Sequence, residues 1–242
     1  NIMINIIYAV GLNLILGVAG QFSLGHAGFI AIGSYSGAIL GKMINGLPGL
    51  FAGMAVGVVI SVIVAFLVGL PTLRLKGDYL AIATLGVAEI IRVAVTNMKI
   101  TNGAAGISGI PLTNTWTITY IFLVVTTILI LNYTFSSAGR ATYGVLQDEI
   151  AAESMGVQVT KYKILAFVLG AATASIGGTL SATTLGAVTP GDFTFMKSID
   201  VLIIVVFGGI GSFTGSFVAA VLLGIINLVL QPFGQLRMII YA

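Results

Sequence analysis

The chain has 242 residues, of which 58% are hydrophobic and only 7% are charged, and its mean hydropathy is +1.14. A soluble domain carries about 25% charged residues. Ten basic and seven acidic side chains therefore cannot cover a water-facing surface of this size. The surface must face lipid, where only helices and closed barrels satisfy the backbone. The apolar runs are long and do not alternate as barrel strands do, so the predicted fold class is all-α, a polytopic transmembrane helical bundle.

Composition also excludes several kinds of site. The chain has no Cys and one His, which removes disulfides and leaves no credible metal site. The net charge of +3 is too small to suggest a nucleic-acid partner and fits basic residues on cytoplasmic loops. The 32 glycines indicate close helix packing and broken helices. No cofactor is expected.

Charged residues are clustered, and the uncharged stretches between them predict the spans, because a spanning helix needs about 20 apolar residues. The predicted spans are 3–19, 24–41, 49–71, 79–97, 118–135, 163–187 and 201–231. The last is too long for one simple crossing and contains Gly208, Gly209, Gly211 and Gly215. A broken or re-entrant segment is predicted there.

Orientation follows from the basic residues. Segments 72–77 and 136–163 hold five of the ten and are separated by two predicted crossings. The positive-inside rule places both in the cytoplasm and puts segment 98–117 outside. Three lysines, Lys42, Lys99 and Lys197, then fall outside, against the rule.

The longest polar segment contains a predicted helix of about two turns. Asp148 and Glu149 stand where it would begin and complement its dipole, and Gly156 stands where it would end. A helix this short is unstable alone and needs a docking partner. Ala151 and Ala152 are small enough to let another surface approach. The alternative is an ordinary cytoplasmic loop with a short surface helix.

Segment 11–33 is an apolar stretch with a polar interruption, formed by Gln21, Ser23 and His26 among glycines. Polar groups at membrane depth must face protein or a water-filled cavity. One interpretation is a broken helix that lines a pathway. The other is that the glycines serve packing and His26 hydrogen-bonds a neighbouring helix.

Segment 71–92 places a carboxylate deep in a span. If Asp78 lies at the cytoplasmic boundary, Glu89 is about 16 Å further along the helix, near the bilayer centre. It is expected to face the bundle interior and to pair with Arg92, three residues on. Thr84 can add a hydroxyl. The pair either holds helices in register or lines a substrate path.

Segment 200–216 contains a Gly-Gly-x-Gly-Ser turn between apolar runs. No Lys-Ser/Thr follows it, so it is not a phosphate loop but a predicted helix break or close contact. The chain shows no catalytic set and no Walker motif. If transport uses ATP, another subunit must bind it.

These four ordered segments resemble one family. Residues 148–156, Asp-Glu-Ile-Ala-Ala-Glu-Ser-Met-Gly, resemble the coupling loop of ABC importer permeases, whose pattern is Glu-Ala-Ala, three residues, then Gly. Ala151, Ala152 and Gly156 match that pattern in register, whereas Ile150 replaces its Glu and the later Leu-Pro is absent. Those departures suit the branched-chain amino acid permeases, which the other three segments also resemble.

The resemblance implies a single transmembrane permease domain over residues 1–242. Because the chain starts at Asn1 and stops in an apolar stretch, it is expected to be a fragment truncated at both ends. The implied function is a non-enzymatic permease in the bacterial inner membrane that takes up Leu, Ile or Val. Its implied partners are a homologous permease subunit, two ATP-binding cassette subunits and an extracytoplasmic amino-acid-binding protein. The rivals are a sugar-uptake permease and a channel or secondary transporter without an ATPase.

Overall fold

In the computed structural model, the protein is a helical bundle, described for residues 2–72, 75 and 77–230. The helices are α1 (Ile2–Asn13), continued by a π-helical turn (Leu14–Val18), α2 (His26–Met43), α3 (Leu47–Thr72), α4 (Asp78–Asn97), α5 (Trp116–Phe135), α6 (Ser137–Gln147), α7 (Glu149–Ser154), α8 (Val159–Leu185), α9 (Phe195–Gly208) and α10 (Phe213–Leu230). Strands β1 (Ile107–Ser108) and β2 (Ala187–Val188) pair antiparallel.

The predicted all-helical fold class is confirmed. Within the described residues, α3, α4, α5 and α8 are long and apolar enough to cross a membrane, and α9 with α10 forms a fifth, bent unit. The predicted break near Gly208 is also confirmed, because α9 and α10 meet at an angle of 120° around residues 209–212. The end of the predicted span at residue 231 lies outside the described residues, as do Arg74 and Lys76.

The predicted spans 3–19 and 24–41 correspond to α1 with its π turn and to α2, but neither helix is both long and apolar enough to be counted with α3, α4, α5 and α8. Residues 19–25 between them are not helical. The backbone of Gly25 lies against Thr84, and Gly28 lies against Ala88, well inside α4. Helix α2 therefore begins inside the bundle, beside the first half of α4, and the chain is broken where Gln21 and Ser23 predicted an interruption.

The bundle has two distinguishable ends. The ribbon end carries the β1–β2 pair and the end of α2, where the Lys42 ammonium donates to the Ser108 carbonyl oxygen over 2.8 Å. The loop end carries α6, α7 and the start of α8. This grouping places the predicted outside segments together at one end and the predicted cytoplasmic segment 136–163 at the other.

Helix α8 is the centre of the bundle and packs against α1, α2 and α3. Its contact with α2 depends on small residues. A Cβ atom on Gly33 would collide with the carbonyl group of Ser175, and one on Gly37 would crowd Thr179. Hydroxyls then bridge the helices, since Ser34 donates to the Gly178 carbonyl and Thr179 donates to the Gly33 carbonyl, each over 2.9 Å. Small residues and interhelical hydrogen bonds are how helices associate in lipid.

The α2–α8 contact gives a prediction. Replacing Gly33 with Ala should lower the free energy of unfolding by about 1–3 kcal/mol, because the added methyl meets backbone that cannot yield. Thermal unfolding in detergent micelles measures the change. Gly144→Ala is the matched control, because a Cβ atom there meets nothing within 4 Å and should be neutral or stabilising. Equal unfolding temperatures for both variants would contradict this account of the packing.

Candidate functional site

The predicted short helix is present at the loop end as α7, one turn and a half long. Asp148 is its N-cap, and one carboxylate oxygen accepts from the amides of Ile150 at 2.9 Å and Ala151 at 3.1 Å. Gly156 lies just beyond the helix with φ +83°, in the left-handed region that favours glycine. The boundaries predicted from Asp148, Glu149 and Gly156 are therefore those of the structure.

Helix α7 is attached firmly to the bundle. Glu149 forms an ion pair with Lys163 near the start of α8, and the Lys163 side chain is largely buried. Ala152 is buried, so it packs inward, and of the two predicted alanines only Ala151 faces outward. A rigid displacement of α7 would therefore also displace α8 and, because Asp148 adjoins it, α6.

Two exposed apolar side chains on this segment were not predicted. Ile150 is 80% exposed and Met155 is 83% exposed, on a loop that extends beyond the spans. In the sequence, both are apolar residues within the most charged part of the chain, and this contrast could have indicated them. Ile150 stands at the position where the importer pattern has Glu, so the pattern itself does not mark it as a contact residue.

The loop end also touches the break after α1. A Cβ atom on Gly20 would strike the Leu146 side chain of α6, and the φ angle of Gly20 is +66°. Residues Ala19 and Gly20 and residues 145–150 together line a cavity of about 310 Å³. The segment that carries α7 is thus in direct contact with the non-helical residues of the broken helix.

Several backbone amides in and beside the break at residues 19–25 donate to neighbouring parts of the bundle. The amide of Gln21 donates to the Ile15 carbonyl at 3.0 Å, and the amide of Leu24 donates to the Thr84 hydroxyl at 3.0 Å. At the start of α2, the amide of Ala27 donates to the Ser198 hydroxyl of α9 at 2.9 Å. Residues from α4 and α9 therefore hold the broken segment in place.

The predicted polar residues of this segment are all buried. Gln21, Ser23 and His26 are each no more than 3% exposed. The Ser23 hydroxyl accepts from the Gly25 amide, whereas the Gln21 amide group makes no hydrogen bond with a described residue. The His26 ring lies by the backbone of Tyr8, but neither nitrogen forms a hydrogen bond of normal geometry within the described chain.

The two breaks in the bundle are joined by Asn13, which was not predicted as a functional residue. Its side-chain oxygen accepts from the Gly211 amide at 2.8 Å, and its amide nitrogen donates to the Ser216 hydroxyl at 2.9 Å. Asn13 is fully buried and directly precedes the π-helical turn. The signal for it is a lone amide side chain within an apolar helix.

The Glu89–Arg92 pair is formed, but its predicted position in the bundle interior is wrong. The Arg92 Nε atom lies 3.0 and 2.9 Å from the two Glu89 carboxylate oxygens. The Glu89 side chain is 49% exposed and that of Arg92 is 29% exposed. The buried face of α4 instead carries small residues, because Ala88 must fit against Gly28 and Thr84 against Gly25.

Thr84 consequently does not join the ion pair. It is fully buried on the α2 side of α4, where it accepts from Leu24 and donates to the Ala81 carbonyl. Its hydroxyl fixes the broken segment rather than adding to the charged face.

Comparison with known proteins now decides the family. A family model described as the branched-chain amino acid transport system permease component matches residues 1–241. The chain belongs to this permease family. It is 37% identical to the high-affinity branched-chain amino acid transport system permease protein LivM of Salmonella typhimurium and 36% identical to LivM of Escherichia coli.

Each of these matches covers 98% of this permease chain and 64% of the relative's length. The ribose import permease protein RbsC of Escherichia coli is 28% identical over 93% of the chain and 73% of its own length. No solved structure matches. The permease family and the apolar spans place the chain among membrane transport proteins.

The link between the two breaks gives a prediction. Asn13→Leu should lower the free energy of unfolding by about 1–3 kcal/mol, because it removes both hydrogen bonds of a fully buried side chain, those to the Gly211 amide and the buried Ser216 hydroxyl. Ser216→Ala is the matched variant. It removes the bond from Asn13 Nδ2 and the hydroxyl's own bond to the Ser212 carbonyl just before α10, but it keeps the bond to Gly211 and should cost less. Denaturant unfolding in micelles measures both. A cost for Ser216→Ala equal to that for Asn13→Leu would show that the Gly211 bond is not the important one.

Proposed function

We propose that this chain is a permease subunit of an ABC importer for Leu, Ile or Val in the bacterial inner membrane. It forms the translocation pathway with a homologous permease subunit. Two ATP-binding cassette subunits bind at its loop end, which is then cytoplasmic. An extracytoplasmic amino-acid-binding protein delivers substrate at the ribbon end. The chain itself binds no nucleotide.

The exposed apolar surface of α7 carries this proposal. Ile150 and Met155 lie on a loop outside the spans, where lipid cannot cover them. Large apolar side chains that are exposed on a water-facing segment suit a protein interface. A channel or secondary transporter has no use for a docking surface there, whereas an ABC permease must bind its ATPase at the cytoplasmic side.

The contacts that hold α7 against the bundle support a role in coupling. Asp148 fixes its first turn, and Glu149 ties it to Lys163 of α8. Leu146, just before it, contacts Gly20 in the break between α1 and α2. Movement of the ATPase subunits would thus reach both the central helix and the broken helix.

The buried polar residues of the break are proposed as part of the pathway machinery. Gln21, Ser23 and His26 lie where α2 begins inside the bundle, and polar groups at membrane depth in a transporter are more often functional than not. Irregular backbone at membrane depth commonly forms part of a substrate site in transporters. In this proposal the segment changes conformation during transport.

The proposed substrate rests on the relatives. Both LivM proteins are named for branched-chain amino acid transport, and they are more similar to this chain than RbsC is. A sugar is the alternative substrate, and the RbsC match keeps it open for direct test. Competition of labelled leucine uptake by excess ribose or isoleucine distinguishes the two.

The docking surface gives the first prediction of this proposal. Ile150→Asp should abolish binding of the ATPase subunits and ATP-driven uptake, because a charge replaces the apolar contact. The residue is 80% exposed, so the fold should not change. Ile150→Leu, which keeps the contact apolar, is the control. Co-purification of the ATPase and uptake into proteoliposomes are the measurements. Normal docking by the Asp variant would exclude α7 as the coupling helix.

The end of α7 gives a second prediction. Gly156→Val should impair docking and uptake, because a β-branched residue at φ +83° costs at least about 1–2 kcal/mol and the turn would change. Gly156→Asn should retain both, since Asn tolerates the left-handed conformation. A Cβ atom meets nothing within 4 Å at this position, so steric collision within the chain does not explain a loss. Unchanged docking and uptake in the Val variant would refute the assignment.

A further inference from the structure

One side of α4 is exposed along its whole length. Ile82, Glu89, Ile90 and Val93 are exposed, and a Cβ atom on Gly86 would meet nothing within 4 Å. Spacings of three and four residues place these five positions on one side of a helix. We call them the α4 face.

The α4 face carries charge at mid-membrane. Helix α4 begins at Asp78 near the loop end, and Glu89 follows eleven residues later. At the helical rise this is about 16 Å, half of a hydrocarbon core roughly 30 Å thick. Arg92 binds both carboxylate oxygens, so the net charge of the pair is zero. The Arg92 N–H groups and the Glu89 lone pairs that point outward still need polar surroundings.

Exposed surface on another span shows what a lipid-facing side of this protein looks like. On α3, the exposed residues Val59, Ile63, Phe66 and Leu67 are all apolar. Hydrocarbon suits that surface. It does not suit the α4 face, because ionised side chains at the bilayer centre are costly when they face lipid.

The covering of the α4 face must therefore be protein or a water-filled space. The ATPase subunits and the binding protein lie outside the membrane and cannot reach mid-depth. The helix α2 packs on the opposite side of α4, through Thr84 and Ala88. Of the proposed partners, only the homologous permease subunit is embedded at the same depth.

We propose that the α4 face is turned toward the homologous permease subunit and lines the translocation pathway between the two. This inference rests on the proposed function and identifies the surface that meets the partner. The Glu89–Arg92 pair then stands at the middle of the pathway. It presents an anion and a cation side by side, complementary to the ammonium and carboxylate of a free amino acid. Gly86 leaves room for close approach.

Site-specific photo-cross-linking tests this surface. The chain has no Cys, so a single cysteine at Ile90→Cys can carry a benzophenone in the assembled transporter in proteoliposomes. Val59→Cys on α3 is the matched control, exposed and also near mid-depth. Ile90→Cys should give a covalent product with the second permease subunit and fewer lipid adducts than the control. Val59→Cys should give lipid adducts.

The outcomes separate the inference from the proposed function. ATP-driven uptake is measured on the same proteoliposomes. If uptake is present and Ile90→Cys cross-links only to lipid, or to another part of its own chain, the α4 face does not meet the partner. If ATP-driven uptake is absent with all partners supplied and the unlabelled wild type also fails, the proposed function and this inference fall together.

A charge exchange tests the lining of the pathway. The double variant Glu89→Arg with Arg92→Glu keeps an ion pair at the same spacing, so the amount of assembled complex should not change. Uptake should fall, because the charges meet the substrate in reversed order. Uptake equal to wild type would show that the pair lines no pathway and serves only to hold helices. Arg92→Lys, which keeps the charge but loses the bidentate contact, should give intermediate uptake.

Discussion

The fully buried side chain of Asn13 holds together two interrupted helices. A helix that stops inside a membrane leaves backbone amides and carbonyls without partners, and each of these is costly in hydrocarbon. Asn13 meets that requirement for the turn between α9 and α10 by accepting from Gly211 and donating to Ser216. Thr84 and Ser198 do the same for the break before α2. The fold can contain non-helical backbone at depth because these few polar side chains supply the missing partners.

The two breaks and the α7 segment form one connected structure. Gly20 contacts Leu146 next to α7, and the π-helical turn that precedes Gly20 begins directly after Asn13. Asn13 in turn binds the turn between α9 and α10. At the other end of α9, the Ser198 hydroxyl accepts from the Ala27 amide at the start of α2. A displacement at α7 thus has a short physical route to mid-membrane. Helices that are already interrupted can change their relative angle without losing further backbone hydrogen bonds.

The outer surface divides into regions with different solvents. The exposed side of α3 is apolar and suits lipid, whereas α7 and the residue after it present Ile150 and Met155 beyond the spans. The α4 face combines apolar side chains with Glu89, which is paired with the neighbouring Arg92. Each surface fits a different neighbour, and together they describe a subunit that is exposed to lipid on one side and to partners on others. Substrate would pass where a polar surface lies at the depth of the broken helix.

The sequence alone determined the fold class, the approximate spans, the position of both breaks and the limits of α7. These follow from local properties: charge is excluded from hydrocarbon, glycine and polar residues interrupt helices, and Asp148 and Gly156 have strong preferences for helix ends. Only the tertiary structure decided which way α4 faces, because the choice depends on α2. Gly25 and Gly28 pack directly against Thr84 and Ala88 of α4. This contact fixes which side of α4 faces α2, and Glu89 lies on the side that faces outward. The role of Asn13 likewise became visible only in the tertiary structure. Its partners Gly211 and Ser216 lie about 200 residues away, beyond the reach of any local pattern.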